Sequence, residues 1–127
     1  MKKLIFLFTF IVSIFSFATT QKMDYSAYDL SGKMIFNVRV IEVESFRYSY
    51  SPNVIVVNNG EKVKIKFSTQ DTEHGFKIAK INFDLKAKKG KPIEGEFTAP
   101  KPGIYEITCS VFCGSGHKKM IGKLIVK

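Results

Sequence analysis

Alternation of apolar and polar positions with a period of two runs through most of the chain after residue 36, and it predicts strands. The first run is 38-VRVIEVESF-46, rich in β-branched residues. Next come 54-VIVV-57 and 62-KVKIKFS-68, in which Val63, Ile65 and Phe67 alternate with lysines. The turn 58-NNGE-61 between them contains an Asn-Gly step, which predicts a hairpin joining the two. Further runs are 76-FKIAKINF-83, 93-IEGEFTA-99, 104-IYEITCS-110 and 121-IGKLIVK-127, with Pro100, Pro102 and Gly103 breaking the chain before the third of these. No stretch longer than about ten residues has helical spacing. The expectation is an all-β Greek-key sandwich of about seven strands over residues 37–127. Residues 19–36 lack a clear period and are expected to form a linker or leading arm.

The N-terminus has a different pattern. Lys2 and Lys3 precede an unbroken run of apolar and hydroxyl residues, Leu4 to Ala18, which ends in 16-SFA-18. A basic start, an apolar middle and small residues at the end are the marks of a secretory signal cleaved after Ala18. The alternative is a short anchor that stays attached, although fifteen residues of helix reach only about 22 Å against a hydrocarbon core of roughly 30 Å. Both place the rest of the chain in the periplasm or on the outer face of the cytoplasmic membrane. At 127 residues the chain is long enough for one packed domain and too short for two. Its formal charge is +9; removal of residues 1–18 takes away two lysines and leaves 18 basic against 11 acidic residues, or +7. For an exported chain with scattered lysines this argues against nucleic acid and for an acidic partner protein or plain solubility.

The chemistry is concentrated in 109-CSVFCGSGHKKM-120. These residues hold both cysteines, one of the two histidines and one of the four methionines. Cys109 ends one predicted strand and Met120 starts another, while Gly114 and Gly116 allow the loop to fold back so that Cys109, Cys113, His117 and Met120 converge. His74, in 71-DTEHGF-76, lies between two strands and can occupy the same end of a sandwich. Thiolate and thioether select copper, above all its lower oxidation state, and imidazole suits both states. The residues leave alternatives open. Exported cysteines commonly pair, and two thiols with two imidazoles could hold zinc. A mononuclear blue-copper site could use Cys113, His117, Met120 and His74. An exported copper carrier is a further possibility, although such carriers favour exposed Met/His clusters.

The loop, with 71-DTEHGF-76 upstream and 102-PGIYEITCS-110 leading into it, resembles the dinuclear copper A domain of cytochrome c oxidase subunit II, a cupredoxin-type sandwich. The likeness covers roughly residues 38–127 and is strongest to the short subunit II of B-type (ba3-like) oxidases, where 74-HGF-76 and the final Met120-to-Val126 pattern recur. The resemblance implies two copper ions bridged by the sulfurs of Cys109 and Cys113. His74 and Met120 would cap one ion; His117 and the backbone carbonyl of Val111 would cap the other. The family often has Glu at the Val111 position, a change the carbonyl ligand tolerates. Asp71 matches a family acid that could orient His74 or simply carry surface charge. Many family members admit electrons through a surface tryptophan, and this chain has none. The aromatic stretch 46-FRYSYSP-52 stands where that residue would be, with Tyr48 the candidate, unless Phe46, Tyr48 and Tyr50 form one packed strand face. The implied function is electron transfer from a cytochrome c-type or other small donor to the catalytic subunit of a haem-copper oxidase. No bond-making active site is expected in the chain itself. Membrane association would come through that partner or the N-terminal segment.

Overall fold

The computed structural model describes Ser16 and residues 20–127, so the expected signal or anchor of residues 1–18 lies, apart from Ser16, outside the described residues. Ten strands make two sheets: β1 (Lys33–Ile35), β2 (Val38–Phe46), β3 (Ser49–Ser51), β4 (Val54–Val57), β5 (Lys62–Thr69), β6 (His74–Ile78), β7 (Phe83–Ala87), β8 (Ile93–Thr98), β9 (Gly103–Thr108) and β10 (Ile121–Val126). In the first sheet the order is β1-β2-β5-β8, with β3 also paired to β2. In the second it is β4-β10-β9-β6-β7. No helix among the described residues is long and apolar enough to cross a membrane.

The alternation seen in the sequence is what the sheets bury. In β5, Val63, Ile65 and Phe67 point inward, while Lys62, Lys64 and Lys66 face out, where they pair with Glu94 and Glu96 of the neighbouring β8. Between the sheets a run of aromatic rings, Tyr50, Phe67, Phe76, Phe83 and Phe97, meets at centroid separations of 4.9 to 6.3 Å, several of them edge to face.

The strand count exceeds the expected seven for two reasons. Short β1 and β3 carry too few residues to show a period. The run 76–83 is not one strand: a 3-10 turn at Ala79–Ile81 and a left-handed Asn82 (φ 53°) fold it into the antiparallel β6–β7 hairpin. Asn is one of the few residues that take that conformation readily.

The expected hairpin across 58-NNGE-61 is not formed. β4 pairs in parallel with β10, whereas β5 pairs with β2 and β8, so the turn carries the chain from one sheet to the other. A buried ion pair holds this crossing. Glu61 accepts from Arg39 Nε at 2.6 Å and Nη2 at 2.8 Å, and from the Asn58 amide at 3.0 Å. Arg39 also donates to the Ser31 carbonyl. Ser31 in turn bonds both backbone groups of Val56, so the leading arm stitches the outer edge of β4.

Hydrogen bonding from Arg39 holds the Glu61 carboxyl down at about 2, against 4.5 ordinarily. A depressed carboxylate stabilises the fold fully above its unfolded value and loses that contribution as pH falls from about 4.5 toward 2. Arg39→Ala is therefore expected to cost about 1–3 kcal/mol at neutral pH, because it removes the charged partner of a half-buried carboxylate that keeps only its Asn58 bonds. It should also flatten the acid limb of the stability profile between those pH values. Urea denaturation across that range checks both effects, and an acid limb that keeps its wild-type slope in the variant would remove the pair from this role.

Candidate metal centre

β9 and β10 pair Thr108 with Ile121, so the register sets Cys109 and Met120 side by side at the mouth of one antiparallel ladder. The connecting loop closes above them through a 3-10 turn at His117–Lys119, which swings His117 back over Cys113. β6 begins at His74, next to this mouth. Five short contacts define the cluster. Cys109 Sγ lies 3.7 Å from Cys113 Sγ. Cys109 Sγ lies 3.9 Å from His74 Nδ1, and donates to the Val111 carbonyl at 3.0 Å. Cys113 Sγ lies 3.6 Å from His117 Nδ1 and 4.0 Å from Met120 Sδ. All six sequence-predicted donors thus come together. His74 (0% exposed), Met120 (1%), Cys113 (3%) and Cys109 (7%) are buried, and Val111 and His117 are half-buried.

Both cysteines are free thiols, so the disulfide alternative is not what this structure contains. Burial, reinforced by the neighbouring Cys109, pushes the Cys113 thiol up to about 11. A thiol that reluctant to ionise, held against imidazole, thioether and a second sulfur, suits a soft cation that displaces its proton. The donor set therefore fits copper.

Asp71 orients the centre. Its carboxylate Oδ1 accepts from His74 Nε2 at 2.6 Å, which fixes the ring proton on Nε2 and leaves Nδ1 free toward Cys109. Burial opposes ionisation of Asp71, but bonds from the Arg47 and Thr72 amides and from His74 outweigh it and hold the carboxyl at about 2.

Tyr48 lies at the turn between β2 and β3, half-buried, with its ring on the glycines of the loop. A Cβ on Gly114 (φ 132°) would stand 2.4 Å from its hydroxyl, and one on Gly116 would stand 2.3 Å from its ring. The glycines therefore serve close approach as well as the fold-back. Phe46, Tyr48 and Tyr50 do not share one strand face, because the 47–48 turn separates β2 from β3 and only Tyr50 enters the core.

Three supporting groups carry no signal of their own in the sequence. Arg47 Nε donates to the Cys113 carbonyl at 3.0 Å. The Tyr50 hydroxyl donates to the Gly75 carbonyl at 2.7 Å. The Gly75 amide donates to Cys109 Sγ at 3.3 Å.

A two-sheet sandwich with a Cys-His-Met cluster at one end is the cupredoxin arrangement, and the cupredoxin-like domain profile matches residues 7–126. The chain belongs to that family, and within it to the oxidase subunit II kind. It is 33% identical over 91 residues to two cytochrome c oxidase subunit 2 proteins of Thermus thermophilus; the match spans 72% of this chain and 67% and 54% of those relatives. A chain of a heme-copper terminal oxidase dimer superposes with a TM-score of 0.67 at 25% identity, covering 84% of this chain and 76% of that one. The periplasmic domain of subunit II of cytochrome oxidase from Bradyrhizobium japonicum shares the fold, with a TM-score of 0.64 at 19% identity over 69% of this chain and 83% of that one.

Proposed function

We propose that this chain is an exported electron-transfer domain with a dinuclear copper A centre, the electron-entry component of a haem-copper oxidase. One observation carries the reading. Two sulfurs 3.7 Å apart lie among four further donors, His74 Nδ1 and the Val111 carbonyl near Cys109, His117 Nδ1 and Met120 Sδ near Cys113. A mononuclear site has no use for the second thiol, and zinc has no use for the thioether.

His74 with Met120, and His117 with the Val111 carbonyl, would each hold one ion, and both sulfurs would bridge. Copper bound there supplies a one-electron couple that bridging thiolates can spread over two ions. The protein's part is rigidity. Asp71 locks the His74 tautomer, the Gly75 amide supports the Cys109 sulfur, and the β9–β10 ladder fixes both loop ends. Ligands that cannot move keep the reorganisation that accompanies electron transfer small. The domain would take electrons from a small donor of cytochrome c type, with Tyr48 on the loop as an entry point, and pass them to the catalytic subunit. The chain would lie on the outer side of the membrane, held there by that partner or by its N-terminal segment.

The test is copper content together with the electron paramagnetic resonance spectrum of the reconstituted chain. Two coppers per chain and hyperfine splitting from one electron shared equally by two nuclei are expected. One copper with a single-nucleus pattern would replace this reading with a blue-copper or carrier site.

A further inference from the structure

We infer that the metal end of the sandwich is the docking surface for an acidic redox protein, which seats on Phe112 and the adjoining edge of His117 within a ring of cations. This rests on the relay reading above, and adds to it the charge of the partner and the place where it binds.

The topology collects the cations. Arg47 is in the β2–β3 turn and Lys118 and Lys119 are in the 3-10 turn of the metal loop. Lys88, Lys89 and Lys91 lie in the β7–β8 turn, which the register puts at the same end: Ala87 pairs with His74, and Ile93 with Phe67 near the end of β5. All six are exposed, and none is ion-paired among the described residues. On the sheet faces several lysines do have partners: Lys62 and Lys64 meet Glu96, Lys66 meets Glu94 and Lys86 meets Asp84.

Asp71, Glu73 and Glu44 carry three negative charges at this end against the six cations, so positive charge stays in excess there. The partner would therefore meet a positively charged rim around the cluster.

Phe112 stands among these cations, 79% exposed, one residue from Cys113. Its ring lies 5.7 Å from that of His117, which contacts Cys113 Sγ through Nδ1. A single exposed aromatic beside a half-buried ring that reaches the sulfur, rimmed by charges, has the anatomy of a protein interface: an apolar anchor for close approach and a rim that steers. Binding to an anionic lipid surface favours several well-exposed apolar side chains on one face, and here Phe112 at 79% stands well above Ile121 at 45% and Ile93 at 38%. The cations also lie on three separate turns encircling the cluster, so they attract a partner whose own redox centre must come close to it.

The experiment uses the copper-loaded chain with two small c-type cytochromes, one acidic and one basic, each reduced and mixed with the chain at increasing salt. The acidic cytochrome should react faster, and its rate should fall with salt. The variant Lys88→Gln/Lys89→Gln/Lys118→Gln/Lys119→Gln should slow that reaction about tenfold at low salt, while leaving copper content and reduction by uncharged hydroquinone unchanged. A faster basic cytochrome, or a variant as fast as wild type with the acidic one, overturns the proposal. So does salt-sensitive binding to phosphatidylglycerol vesicles that the variant loses while its cytochrome rates stay the same, since the cations would then serve a membrane. If the chain fails to take up two coppers, the relay reading falls on its own. Docking is then decided by titrating the metal-free chain with the acidic cytochrome, where salt-sensitive binding absent from the variant upholds it and no binding ends it.

Discussion

Cys109→Ser is expected to abolish the shared-electron spectrum and leave at most one copper per chain, with little change in the stability of the metal-free sandwich. The asymmetry follows from the geometry. Cys109 contributes to packing only as a small buried side chain, and serine has nearly its shape, with an oxygen that can still accept from the Gly75 amide and donate to the Val111 carbonyl. Its sulfur, however, lies 3.7 Å from Cys113 and touches His74 and Val111, so it is half of any bridge. Oxygen is a harder donor than the copper in this site would select. Affinity for the second ion should fall by more than the 10- to 100-fold that loss of an outer hydrogen bond typically costs. If wild type and variant each bound one copper with the same spectrum, Cys109 would be a bystander and the site a mononuclear one built on Cys113, His117, Met120 and His74. Metal analysis and paramagnetic resonance on the two proteins decide it.

Gly75→Ala is expected to be more damaging to the fold than most changes of ligand. A Cβ at this position would stand 2.0 Å from Ser110 Oγ and 2.4 Å from the Ser110 amide nitrogen, closer than any real contact. The residue cannot move aside, because its carbonyl is held by Tyr50 and its amide by the Cys109 sulfur. Relief requires β6 to shift from the start of the metal loop, which separates His74 from Cys109. A loss of about 3 kcal/mol is expected, at the upper end for overpacking, together with weakened copper binding. Ser110→Ala combined with Gly75→Ala should recover only part of the loss, since it removes the hydroxyl and leaves the amide. Denaturation midpoints and copper content of the two variants test this, and full recovery in the double variant would show that the backbone was never the obstacle.

Both arguments show what a sequence of this kind discloses. The soft-donor loop is local: Cys109, Cys113, His117 and Met120 fall within twelve residues, and their convergence needs only a return turn between two strands. His74 could be added because it stands between two strands at a sandwich end. Period two exposed the long strands for the same reason, since burial alternates along each. What escaped notice depends on partners distant in sequence. An Asn-Gly turn looks the same whether its strands pair with each other or cross between sheets, and here the choice was made by β2, β8 and β10. The supports of the centre, Arg47 on the Cys113 carbonyl and Tyr50 on Gly75, join residues with nothing between them in the chain to suggest contact. The spacing puts Asp71 three residues from His74, but the bond between them depends on how the 71–74 turn folds and is not legible in the sequence.

The place of β10 has a consequence for how such a chain is made. This strand comes later than every other one, yet it lies between β4 and β9, in parallel register with β4 from Val54–Lys123 to Val57–Val126. While the chain is being synthesised, β4 waits for a neighbour not yet delivered, and closing that distant pairing is slow compared with forming local hairpins. Met120 travels at the head of the same strand. Until β10 inserts, the cysteines have neither their thioether neighbour nor a finished wall behind them. The moment that completes the second sheet also completes the donor set, so the full cage cannot exist before the fold does.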